Sequence, residues 1–251
     1  DQSGLLVLDV ADPMEPQLVG SLLPHGGAWS IGISIVGRLA ILVNGHVSGE
    51  ADKDGLVVVD ITDPTIPRML GFYDTPGRAT KAAMTSDMVL AANGAGGLDM
   101  LDVSDPAHPR PMGRYSAFGE VTGIDTTDGL TLVTVARPDT DGDTGTLLML
   151  DTWDPSAVQV LGRLTLRRVS CAMDVAAEVA VVSIGCQGRE SWGLSMIDLS
   201  RPSEPRELAF MSMPDLVIEV VISGHWVLAA TRQGFFIIDL TDPGRPILMG
   251  Q

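Results

Sequence analysis

"GLVVVDITDPTIPRMLG", residues 55–71, has near-copies at both ends of the chain: "GLLVLDVADPMEPQLVG" from Gly4 and "GFFIIDLTDPGRPILMG" from Gly234. Looser copies run from Leu98, Leu147 and Leu194. In all six an apolar run ends on an aspartate: Asp9, Asp60, Asp102, Asp151, Asp198 and Asp239. The aspartates recur roughly every 41 to 51 residues, a period that belongs to propellers, solenoids or arrays. The run before each aspartate is rich in Leu, Val and Ile without alternation, which predicts a strand buried on both faces. The Asp-x-x-Asp-Pro that follows predicts a hard turn. Aspartate side chains accept from the N–H two residues on, and proline presets φ at the first central turn position.

A second strand follows each turn, as in "PRMLGFYD". Two more come next around a tight turn, as in "WSIGISIVGRLAILVN" with Gly37 and "LVIEVVISGHWVLAAT" with Ser223 and Gly224. No segment shows helical periodicity. Four short strands per unit, repeated, predict an all-β fold: the four-stranded blades of a β-propeller. Blade repeats are expected near residues 1–23, 24–74, 75–116, 117–163, 164–210 and 211–251, in a single domain. Six copies of the Asp-containing outer half are present, but only five inner strand pairs, starting near Trp29, Arg78, Glu120, Val169 and Leu216. The expectation is a six-bladed ring whose first blade is a half blade, completed by upstream residues or by another chain. A five-bladed ring with a leftover pair is the alternative.

The phrases "LVVVDITDP" and "FFIIDLTDP" resemble the LVIVD repeat of bacterial and archaeal β-propellers, over essentially the whole chain. That resemblance implies a cell-surface or exported protein and assigns it no activity. Two units depart from the pattern: Arg201 replaces the turn aspartate of the fifth, and Val158 the second proline of the fourth.

Composition narrows the partners. The 32 acidic side chains against 16 basic ones give a formal charge of -16, with no basic patch to hold a phosphate backbone or an anionic membrane surface. No stretch of about 18 apolar residues predicts a membrane-spanning helix, and the first residues show no signal-peptide pattern. At 4% aromatic, the chain offers few stacking platforms for sugars.

Several residues invite a chemical reading. The repeated Asp pairs are explained by their turns and are not expected to act as paired catalytic acids. In "RPDTDGDTG", residues 137–145, Asp139, Asp141 and Asp143 alternate around Gly142, a donor set suited to Ca2+. The match to a calcium loop is partial, because no glycine falls at the position such a loop requires and no distal Glu follows. A solvated acidic loop is the other reading. "GEADKDG" echoes it more weakly. Cys171 and Cys186, the only cysteines, flank a tight turn expected near Ala177, which puts them nearly opposite on adjacent strands. A disulfide and two free thiols both fit. The four histidines, His25, His46, His108 and His225, form no metal spacing.

Aligning the inner strands predicts a central channel lined by Gly32, Lys81, Gly123, Ala172 and Glu219, with Lys81 and Glu219 in charge relation. Three long loops share one face with His25, Arg78, Glu120 and Arg168, and one of them carries Arg189 and Trp192, a hot-spot composition. The expected function is a non-catalytic binding or scaffolding module outside the cytoplasm. It would act on a protein partner, or on a chain segment completing the first blade, with no cofactor or with calcium. The alternative is a propeller hydrolase or lyase using the channel mouth, with Arg78 as charge stabiliser and Glu120 as base.

Overall fold

The computed structural model describes residues 4–12, 14–23, 29–45, 55–85, 87–127, 129–136, 144–185 and 192–250. The chain divides into two compact units, Asp1–Tyr115 and Ser116–Gln251. Among the described residues there are five four-stranded antiparallel sheets and one two-stranded sheet. The fold is all-β, with propeller blades and one half blade.

In the first unit, β1 (Leu5–Asp9) and β2 (Gln17–Leu22) form the half blade. The next blade is β3 (Trp29–Val36), β4 (Leu39–Gly45), β5 (Gly55–Asp60) and β6 (Arg68–Asp74). It is followed by β7 (Lys81–Met84), β8 (Met88–Ala92), β9 (Leu98–Asp102) and β10 (Arg110–Tyr115). The second unit opens with β11 (Glu120–Thr127), β12 (Leu130–Ala136), β13 (Gly145–Asp151) and β14 (Gln159–Leu166). Then come β15 (Met173–Ala176), β16 (Val179–Ile184), β17 (Gly193–Asp198) and β18 (Arg206–Ser212). The last blade is β19 (Val217–Ser223), β20 (Trp226–Thr231), β21 (Gly234–Asp239) and β22 (Ile247–Gly250). Every sheet pairs its strands in chain order. β14 and β18 run a few residues past the blade boundaries read from the repeat.

The repeated aspartates do local work. Asp60 Oδ1 accepts the Thr62 N–H at 2.9 Å, and Asp63 Oδ1 the Thr65 N–H at 3.0 Å. The same double arrangement recurs at Asp102 with Asp105, Asp151 with Asp154, and Asp239 with Asp242. Each turn is closed by a backbone bond from the residue three past its second aspartate. The two departures from the repeat keep that closure: Glu204 N–H donates to the Arg201 carbonyl, and Ala157 N–H to Asp154. The residue after the first aspartate donates to the hairpin turn of its own blade, as Ile61 does to Arg38 and Leu240 to His225. The Asp-Pro turn and the hairpin turn therefore brace each other. Gly37 and Gly224 take positive φ in those hairpins, and Ala177 does so at 51°.

Side-chain hydrogen bonds within the turns, from His108 at Asp105 and from the hydroxyl two residues on at the others, and then the backbone bonds hold the carboxyls of Asp60, Asp63, Asp102, Asp105, Asp154, Asp198 and Asp239 below the usual carboxylate range. At Asp198, hydrogen bonds to Ser200 and then Arg206 take it down to about 2. Because the folded pKa lies below the unfolded one, the stabilisation is complete above about pH 4 and is lost as the pH falls through the folded value. The urea midpoint is therefore expected to fall between pH 4 and pH 2, and Asp198→Asn to reduce that fall. Equal acid sensitivity in the variant would contradict this role.

Sheets stack through their apolar runs. In the first unit Leu39, Ile41 and Val43 of β4 meet Val89, Ala91 and Leu101 of the next blade. In the second, Val181 and Met196 meet Val227, Phe236 and Ile238. Each of the Val, Leu, Ile, Met and Phe side chains taken fully out of water stabilises by about 1.5–3 kcal/mol. The runs in β5, β9 and β17 are buried on both faces up to their terminal aspartates, and so is that of β13 except at the half-buried Thr146. β1 and β21 differ. Their alternate residues are exposed, because among the described residues no sheet of their own unit stacks on that face.

Candidate functional site

The inner strands share one local device. In β3, β11 and β19 the register shifts by one residue, at Ile31, Thr122 and Ile218. After the shift Gly32 pairs with Val43, Gly123 with Thr134 and Glu219 with Ala230. Lys81 pairs with Ala92 in the same place, and Ala172 accepts from Ser183 N–H. The residues aligned from sequence thus hold one repeat position. β7 and β15 begin at Lys81 and Met173, a few residues after Arg78 and Val169, because bonds such as Thr80 N–H to the Ala92 carbonyl replace regular pairing there.

Arg78 and Glu120 are exposed; Arg168 is half-buried. Trp192 is also half-buried and packs against the core of the last two blades, so only part of its indole faces outward. Lys81 and Arg78 belong to the first unit; Glu120, Arg168, Trp192 and Glu219 belong to the second. The carboxylate of Glu219 accepts the Val220 N–H at 3.3 Å. Cys171 is disulfide-bonded, and the sequence holds one other cysteine. His25, Asp139, Asp141, Asp143, Cys186 and Arg189 lie outside the described residues, as does "GEADKD". No cluster of three or more metal-ligating side chains occurs among the described residues.

The open side of the half blade is the sharpest feature of the first unit. In complete blades the strand equivalent to β1 is hydrogen-bonded on both sides, as β5 is between β4 and β6. Among the described residues β1 is paired only with β2. Leu5 and Val7 of β1 pack on Ala40, Leu42, Val57 and Val59. On the same face Ile33 lies opposite Leu42, and Ile35 opposite Ala40. Yet Ile33 is 50% and Ile35 56% exposed, whereas Leu42 and Ala40 are buried. The uncovered isoleucines sit where the two inner strands of a complete blade would stack. The half blade was legible from the repeat count; the isoleucine stripe beside it was not, because β3 reads like any other inner strand.

Comparison with known proteins places this architecture. The LVIVD repeat family matches residues 1–23, 50–75, 77–117 and 217–251. No curated protein matches the sequence. Among solved structures, a functionally unknown protein from Desulfotomaculum acetoxidans is similar at a TM-score of 0.68 and 12% identity, over 93% of this chain and 72% of that one. Hydrazine synthase from Kuenenia stuttgartiensis follows at 0.65 and 13%, over 88% and 65%. A hypothetical selenium-binding protein from Sulfolobus tokodaii gives 0.62 and 13%, over 84% of this chain. The chain spans 58% of that protein's length. At these identities the likeness concerns the fold alone. Among the described residues no helix is long and apolar enough to cross a membrane.

Proposed function

Since the chain belongs to the LVIVD-repeat β-propellers, we propose that it is a non-catalytic interaction module of an exported or cell-surface protein, which takes up two further strands at β1. The observation that carries this reading is the free edge of β1 beside the uncovered Ile33 and Ile35. An edge strand offers a row of N–H and C=O groups to another strand, and alternate side chains supply the selectivity. The disulfide at Cys171 supports an oxidising compartment. Loop residues Arg78, Glu120, Arg168 and Trp192, with His25 and Arg189, are the proposed contacts on the opposite account of the same module, its loop face. Calcium held by Asp139, Asp141 and Asp143 would stiffen one of those loops.

The incoming element should resemble the five inner hairpins already present. A synthetic peptide of residues 120–136 is therefore expected to bind the 251-residue chain at one to one. The double variant Ile33→Asp, Ile35→Asp should weaken that binding at least about tenfold, since each aspartate would be buried by the peptide. Both side chains are half exposed without it, so folding should survive, as circular dichroism would show. An intact chain that ignores the peptide, or a double variant that binds it equally, would overturn the reading.

A further inference from the structure

Two aspartates occupy one repeat position on neighbouring inner strands of the second unit. Asp125 stands two residues past Gly123 in β11, and Asp174 two past Ala172 in β15. Both point across to the next blade. Asp125 Oδ2 accepts the Val175 N–H of β15 at 2.8 Å. Asp174 Oδ2 in turn accepts the Ile222 N–H of β19. Val175 and Ile222 are themselves equivalent, three residues past Ala172 and Glu219. β15 and β19 are edge strands of their sheets, so N–H groups on their outer side need an acceptor from elsewhere. The two carboxylates provide it, and each also accepts the N–H of the residue that follows it.

The carboxyls of Asp125 and Asp174 meet at one amide: the Val175 N–H lies 2.8 Å from Asp125 Oδ2 and 2.9 Å from Asp174 Oδ1. Two ionised carboxylates are acceptors only and repel when they converge on one amide, whereas a single proton lets one carboxyl donate to the other. Among the described residues the inner strands here supply no cation to serve instead, and the turns beyond them carry Glu178 and His225. β12, β16 and β20 carry no ionisable side chain; β15 carries Asp174 alone, and β11 and β19 add only Glu120 and Glu219. Burial, then the hydrogen bond and negative charge of Asp174, push Asp125 up to about 7, against the opposing pull of two backbone N–H groups.

We propose that Asp125 and Asp174 share one proton and together clasp the inner strands of three consecutive blades, β11, β15 and β19, a clasp that loosens when the proton leaves for solvent. Loss of the proton puts two negative charges in contact and breaks the bond between them, while the amides of Val175 and Ile222 lose a fixed acceptor geometry. The folded pKa of Asp125 lies above the unfolded value, so its contribution is complete below about pH 4 and is lost as the pH rises through about 7. This is opposite in sign to the turn aspartates and acts in a separate pH window.

Urea denaturation of the whole chain at pH 5 to 8 tests the clasp against Asp125→Asn. In that variant the side-chain amide donates to Asp174 and its oxygen accepts from Val175, with no proton to lose. The wild-type unfolding constant should rise by up to about tenfold per pH unit between pH 5 and 7, then level off. Asp125→Asn should flatten this slope and be the more stable protein at pH 8. Titrations common to both proteins cancel in the comparison. An unchanged slope would overturn the proposal. Should Asp125→Asn fail to fold, Asp174→Asn forms the same bond in reverse and carries the same expectation. Independently, amide exchange at Val175 and Ile222 in the wild type should lose protection between pH 6 and 8, beyond the intrinsic pH effect; constant protection would equally overturn it.

Discussion

Replacing Gly162 with alanine is expected to destabilise the second unit by about 3 kcal/mol, the scale of overpacking against backbone that cannot move aside. A Cβ built on Gly162 would lie 2.0 Å from the Pro202 carbonyl oxygen and 3.1 Å from Pro205 Cδ. The glycine sits in the outer strand β14, and the carbonyl belongs to the Asp-Pro-type turn of the next blade. The same approach recurs in the first unit, where a Cβ on Gly20 would lie 2.1 Å from the Pro64 oxygen and one on Gly71 2.4 Å from the Pro106 oxygen. The outer strand of one blade is thus pressed against the turn of its neighbour, and a glycine is what lets them touch. Gly250 holds the same repeat position in the last blade and has nothing within 4 Å. Gly250→Ala is therefore expected to change stability by less than about 0.5 kcal/mol. Urea denaturation of the two variants decides the matter: similar losses at Gly162 and Gly250 would mean that the glycine matters for its strand and not for its neighbour.

The second large effect separates two adjacent phenylalanines. Phe236 is 2% exposed in the core between the last two blades, with Val181, Met196 and Val227 around it. Phe236→Ala removes an aromatic ring from a packed interior and should cost about 4 kcal/mol. Phe235, one residue earlier in β21, is 67% exposed on the opposite face. Phe235→Ala should cost less than about 1 kcal/mol, because there is little buried contact to lose. Thermal or urea unfolding would show the contrast directly. Comparable losses at both positions would mean that the outer face of this sheet is covered in the folded protein.

Much of the fold was readable from the repeat. The six aspartates mark six strand ends, and the local chemistry of Asp and Pro sets the turns without help from distant residues, which is why the Asp60 and Asp63 bonds recur from unit to unit. The departures at Val158 and Arg201 changed little, since both turns keep their backbone closure, the first also the Asp151 and Asp154 bonds and the second the Asp198 bond. The alignment of Gly32, Lys81, Gly123, Ala172 and Glu219 followed from the same regularity, because the one-residue shift recurs at the same step. Candidate site residues were less legible. Trp192 looks like a free aromatic on a loop, and only packing shows it partly committed to the core.

The sequence by itself determined the elements, their order and the half blade, because each depends on local chemistry repeated six times. It could not determine which faces are covered. "LLVLD", "LVVVD" and "FFIID" are interchangeable as patterns, yet β5 is buried on both faces while β1 and β21 each leave alternate side chains in water. Nor could it pair Asp125 with Asp174, 49 residues apart and outside the repeated turn motif. Burial and a shared proton depend on what a neighbouring sheet brings alongside. A strand's own residues fix its hydrogen bonds and its twist, but only stacking fixes what its side chains meet.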